Sequence, residues 1–200
     1  YQWQSSTSGN EPWANAVGTG STTNTFTPPS ATPGTTYYRV LVNASNSDCQ
    51  QAVSSVVTAI IIPDITVTTQ PTNVNECVGG LDQMTVAISG GSGLVSYQWQ
   101  SSTDGNAPWA NAVGTGSTTN TFTPPSVTPG TTYYRVLVNA TGSDCQQAVS
   151  SVVTAIIIPD ITVTTQPTNV NECVGGLDQM TVAISGGSGL ISYQWQSSTD

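Results

Sequence analysis

Histidine and lysine are absent from this 200-residue chain, and its only cations are Arg39 and Arg135. Without histidine the chain lacks the side chain that most often moves protons near neutral pH. Without lysine, Schiff-base chemistry, Ser–Lys dyads and Lys–Asn isopeptide bonds are excluded. Charged residues make up 6% of the chain, against roughly 25% in an ordinary soluble domain. Eleven acids leave a net charge of −9, and both nucleic acid and anionic lipid need a basic patch. Neither is expected as a partner. Long apolar runs are also missing: the longest, "VVTAIII" at Val152–Ile158, falls well short of the roughly 18 residues that span a membrane. Membrane insertion of this segment is not expected.

A pair of carboxylates could still serve glycoside hydrolysis. The acids of one period, Glu76, Asp82, Asp104, Asp144 and Asp160, stand singly. They read as solvated turn residues, so we expect no enzyme and no cofactor.

What the chain does contain is repetition. "YQWQSST" begins at Tyr1, recurs at Tyr97 and returns at Tyr193, a period of 96 residues. The copies differ at six aligned places: Ser8/Asp104, Glu11/Ala107, Ala31/Val127, Ser45/Thr141, Asn46/Gly142 and Val95/Ile191. That period exceeds a solenoid turn and suits one small domain. Within it, hydrophobicity alternates with period two. "MTVAIS" (84–89), "SYQWQSS" (96–102), "TTYYRVLVNA" (131–140) and "AVSSVVTAIII" (148–158) read as strands. Glycine- and proline-rich turns separate them. Pro63 and Pro159 cannot donate to a strand ladder and should end strands. The reading is therefore residues 1–63 as the back part of one repeat, 64–159 as a complete repeat, and 160–200 as the front of a third. Junctions of Pro and Asp, with no Gly/Ser linker, predict a stiff rod.

The pattern resembles an immunoglobulin-like β-sandwich. Trp99 stands where such folds place a core tryptophan, and Tyr134 resembles their tyrosine corner. Val86 and Val136 occupy what look like the two core-cysteine positions, so the inter-sheet bridge is absent. The expected core is Val86, Trp99, Tyr134 and Val136. Cysteines stand instead at 49, 77, 145 and 173, two per period. With no histidine and no CxxC pair they point to disulfides rather than zinc, and to an oxidising setting. Two buried free thiols per domain are the plainer alternative. Cys77–Cys145, closing a loop near one end of the sandwich, is the expected pair; Cys49–Cys77 with Cys145–Cys173 is the rival.

The wider phrase "YQWQSSTDGNAPWANAVG…TNTFTPPS…GTTYYRVLVN…SDC…AVSSVV" is similar to the tandem Ig-like repeats of very large Bacteroidota surface adhesins, including gliding-motility adhesins exported by the type IX system. The resemblance implies an extracellular stalk on a bacterial cell surface, with neighbouring repeats as the first partners. Other readings stay open at this point. Trp109 beside a turn could stack on a surface glycan, Asp64 and Asp160 could hold calcium at the junctions, and Asn43 and Asn139 match the N-glycosylation pattern. If Tyr1 and Asp200 were true ends, residues 160–200 could complete residues 1–63 of another copy in a filament by strand complementation. A segment cut from a longer chain is the preferred explanation.

Overall fold

The computed structural model describes residues 1–44, 49–142 and 145–199, and these form strands, turns and coil with no helix. Two compact units emerge. The first comprises 1–65, 90–94 and 140–146; the second comprises 66–89, 95–139 and 147–200.

In the first unit, β1 (Gln2–Ser6), β2 (Ala14–Asn15), β3 (Gly34–Val42), β4 (Ala52–Val53) and β5 (Val57–Ile61) make one antiparallel sheet. β3 is its centre, paired with β1, β4 and β5. Trp3 stacks on Phe26 with ring centroids 5.2 Å apart, and Phe26 meets Tyr38 at the same distance. A groove of about 150 Å³ opens beside this cluster, lined in part by Trp3, Tyr38 and Val57. Trp3 is consequently only half-buried.

The second unit shows the same elements with a filled core. Its strands are β6 (Thr66–Thr69), β7 (Val74–Cys77), β8 (Met84–Thr85), β9 (Ala87–Ser89), β10 (Val95–Ser102), β11 (Ala110–Asn111), β12 (Thr121–Phe122), β13 (Gly130–Ala140), β14 (Ala148–Val149) and β15 (Val153–Ile158). The large sheet runs β11-β10-β13-β15-β7, with β14 also on β13; β12-β8 and β6-β9 are separate pairs. Two further strands, β16 (Thr162–Thr165) and β17 (Ala183–Ser185), pair with each other. β7 is parallel to β15, while the other registered pairs of this unit are antiparallel.

Period-two alternation puts Val74 and Glu76 on the buried side of β7, and Tyr134, Val136 and Val138 on that of β13. Phe122, on the small β12-β8 pair, inserts between Trp99 and Tyr134 of the large sheet at centroid distances of 5.2 and 5.1 Å. Met84, Val86, Trp99, Phe122, Val136 and Val138 are fully buried, and Tyr134 nearly so. Two layers of strands over one aromatic centre, with β7 parallel at the edge of the large sheet, make this an immunoglobulin-like all-β sandwich.

Three details depart from the sequence reading. "MTVAIS" is two strands, because β8 pairs with β12 and β9 pairs with β6. Val86 between them is satisfied by the Asn120 carbonyl, at 2.9 Å. "AVSSVVTAIII" is likewise broken at Ser150, whose hydroxyl accepts the Val136 N–H at 3.0 Å while its own N–H donates to the Val136 carbonyl. A side chain there does the work of a ladder bond. Tyr134 packs its ring against Phe122, but among the described residues its hydroxyl has no backbone acceptor of the tyrosine-corner kind. Burial pushes its phenol pKa up, opposed by the Thr132 side chain.

Candidate functional site

The hairpin joining β10 to β11 carries the densest polar chemistry in the second unit. Asp104 accepts the Asn106 N–H and the Ser102 hydroxyl, each at 2.9 Å. These bonds favour its charged form and hold its carboxyl below the ordinary aspartate range, the Asn106 backbone bond contributing most. A depressed folded-state pKa means the stabilisation is present above the unfolded-state value and lost as pH falls through the folded one. NMR titration should therefore place Asp104 below a free aspartate, and Asp104→Ser, the residue of the first copy, should remove that acid-side dependence. Unchanged acid stability in the variant would count against this role.

Beyond a cis Ala107–Pro108 bond lies Trp109. The Arg135 guanidinium sits over its ring, 4.3 Å from the centroid, and is fixed by an Nε–H bond of 2.9 Å to Gln100 Oε1. Arg39 over Trp13 repeats this geometry, with Gln4 as its amide partner. The single cation of each repeat is thus spent on a cation–π stack against its second tryptophan. Sequence reading singled out Trp109 without its partner, because Arg135 lies on β13 and meets it only through the sheet. One face of the indole is occupied, and Trp109 remains half-exposed.

A second cluster gathers around the junction residues in the first unit. Gly91 N–H donates to the Pro63 carbonyl at 2.8 Å, and Gln146 N–H reaches Asp64 Oδ1 at 3.4 Å. The Cys145 thiol points at the Pro63 carbonyl at 3.7 Å, and Ile65 is buried. At Gly90, whose φ is +78°, an added Cβ would run into the Asp64 carbonyl. Gly187 N–H on the Pro159 carbonyl, at 2.7 Å, repeats the clasp one period on. These junction residues are tied to loops rather than left as a free linker. Glu76 is buried with Oε2 accepting the Asp82 N–H at 2.8 Å. Asp64 and Glu76 therefore serve turns. Among the described residues no group of three or more acids or cysteines gathers as a metal site; Asp144 lies outside the described residues.

The Cys77–Cys145 bridge expected from the sequence is corrected by the strand register. Cys77 lies opposite Ile158, and Ile157 lies opposite Gly130 at the start of β13. The chain leaving Cys145 joins the same strand at Ala148, opposite Val138. From Gly130 to Val138 an antiparallel strand covers about 27 Å. The three residues from Cys145 to Ala148 can recover at most about 11 Å, while a disulfide needs Cα atoms within about 7 Å. No disulfide is present among the described residues.

Comparison with known proteins adds one assignment. A family model described as "Domain of unknown function (DUF8696)" matches residues 1–63 and 66–159. The chain belongs to this family. Its two matched segments meet within two residues of the Pro63–Asp64 junction. No curated protein matches the chain. Among solved structures it is similar to Sidekick-1 immunoglobulin domains 1-4, with 14% identity and a TM-score of 0.39, over 84% of this chain and 45% of that one. Extracellular domains 3-5 of Drosophila OTK give 13% and 0.38, over 69% and 43%. The FN1-FN3 domains of chicken CNTN1 give 14% and 0.36, over 92% and 64%. The chain spans less than two thirds of the length of each. No helix among the described residues is long and apolar enough to cross a membrane.

Proposed function

We propose that this chain is a load-bearing spacer: a segment of an extracellular stalk of tandem immunoglobulin-like repeats, with residues 64–159 as one complete unit. The observation that supports this reading is the repeated core. Trp3–Phe26–Tyr38 and Trp99–Phe122–Tyr134 form the same stack with nearly the same distances. A module reproduced this closely supplies the same fold again, as a spacer requires. The junction clasp at Pro63 and again at Pro159 adds to it. The bacterial-surface and gliding-adhesin reading rests on the sequence phrase alone.

Pulling the chain from its ends in a single-molecule force experiment tests the spacer. Residues 64–159 should resist and then yield in one discrete event. The 96 residues released at about 3.5 Å each correspond to roughly 300 Å of new contour once the folded length is subtracted. The same length with and without reductant is expected if no intradomain disulfide closes. Smooth extension without an event would sink the load-bearing reading.

A second reading, glycan contact through Trp109, is favoured by the half-exposed ring in a polar hairpin. Glycan-array binding of the complete repeat that disappears in Trp109→Ala would support it, and silence would remove it.

A further inference from the structure

The two copies of the Arg–Trp stack differ at one informative place. In the first copy Glu11 brings a carboxylate into the stack. Its Oε1 lies 3.2 Å from Arg39 Nη2, and its Oε2 accepts the Trp13 backbone N–H at 3.2 Å. In the second copy the corresponding residue is Ala107. Arg135 keeps its stack on Trp109 and its Nε bond to Gln100. Among the described residues its terminal Nη groups have no acceptor, and the two donors that grip the Glu11 carboxylate are left without one.

We propose that the second repeat carries a carboxylate-binding site formed by Arg135 Nη2 and the Trp109 backbone N–H, and that its ligand is the carboxylate of an acidic sugar. The first copy demonstrates the fit, because the same scaffold there holds a carboxylate on both oxygens. The guanidinium is pre-oriented by Gln100 and by the indole, so little side-chain freedom is lost on binding. An arginine donating to a carboxylate makes a charge-assisted bond. The site favours a ligand with one negative charge over a polyanion, since Asp104 stands in the same hairpin with its pKa lowered and the chain as a whole carries −9. A sugar suits the surroundings better than an acidic protein surface, which the net charge of this chain would repel. The half-exposed indole and the amide of Asn106 offer a sugar ring apolar and polar neighbours. Glu11 closes the site and Ala107 opens it, so one residue sets whether a given repeat binds. In an array of open copies, weak sites would add through multivalency.

This inference rests on the second reading above, that Trp109 faces a ligand, and does not depend on the spacer. Its test is an NMR titration of the 200-residue chain with glucuronate, with glucose as the neutral control. The Trp109 indole and Arg135 Nε–H signals should shift with glucuronate, one site per chain and in the millimolar range, and stay in place with glucose. Ala107→Glu should abolish the shift; Glu11→Ala should raise the count to two sites. Both substitutions use the residue of the other copy, so folding is not in question. Glucuronate binding that survives Ala107→Glu, or no binding at all, overturns the proposal. Equal binding of glucose, lost in Trp109→Ala, overturns the carboxylate site but leaves the glycan reading standing. Shifts produced by an acetylated aspartyl peptide and not by glucuronate would overturn the sugar ligand.

Discussion

Trp99→Ala is expected to destabilise the complete repeat by about 3–5 kcal/mol, the range for removing a large aromatic from a packed core. Trp99 has no exposed surface. Its ring stacks on Phe122, its indole N–H donates to the Thr119 carbonyl at 2.9 Å, and its backbone N–H donates to the Ser117 carbonyl at 2.9 Å. Truncation leaves a cavity beside Phe122 and an orphaned carbonyl at Thr119. A loss of this size is a large part of a small domain's whole stability. Denaturant unfolding followed by circular dichroism measures it. Trp3→Ala makes the internal comparison: the groove beside Trp3 already leaves that ring half-buried, so its loss should be smaller. Equal losses at both positions would contradict the packing described here.

Gly116→Ala is the second large effect, and it acts through the same tryptophan. Gly116 has a φ of +78°, and a Cβ placed on it would collide with the Thr121 carbonyl. Its own carbonyl accepts the Thr119 N–H at 2.9 Å, and the Thr119 hydroxyl bridges onward to the Thr121 carbonyl at 2.6 Å. The left-handed backbone alone costs a non-glycine residue about 1–2 kcal/mol. The collision is with backbone rather than a flexible side-chain tip, so the turn itself must move. A total near 2–3 kcal/mol is expected. Because this turn supplies both carbonyls that hold Trp99, the double variant Trp99→Ala/Gly116→Ala should lose less than the sum of its parts. Full additivity would show that the turn and the tryptophan are independent.

Much of the candidate site was legible only in part. Trp109 stood out because a second tryptophan beside a turn is unusual, yet Arg135, which gives it a chemical role, is 26 positions away in the sequence. The consequence of Glu11 against Ala107 was invisible until Arg39 and Arg135 were placed over their rings. Glu76 looked like a loop acid, but its alternation with Val74 on β7 turns it into the fold.

The sequence by itself determined the period, the strand-rich character and the faces. Alternation with period two is a local property, and it assigned Val86, Trp99, Tyr134 and Val136 to one side of their strands before any partner was known. Tertiary structure decided which strands are neighbours and which ends meet. The pairing of β7 with β15 is parallel and spans nearly the whole repeat, and nothing in either strand's own alternation encodes direction or partner. Side-chain periodicity records which way a residue faces, whereas strand order and direction follow from the closure of the whole core.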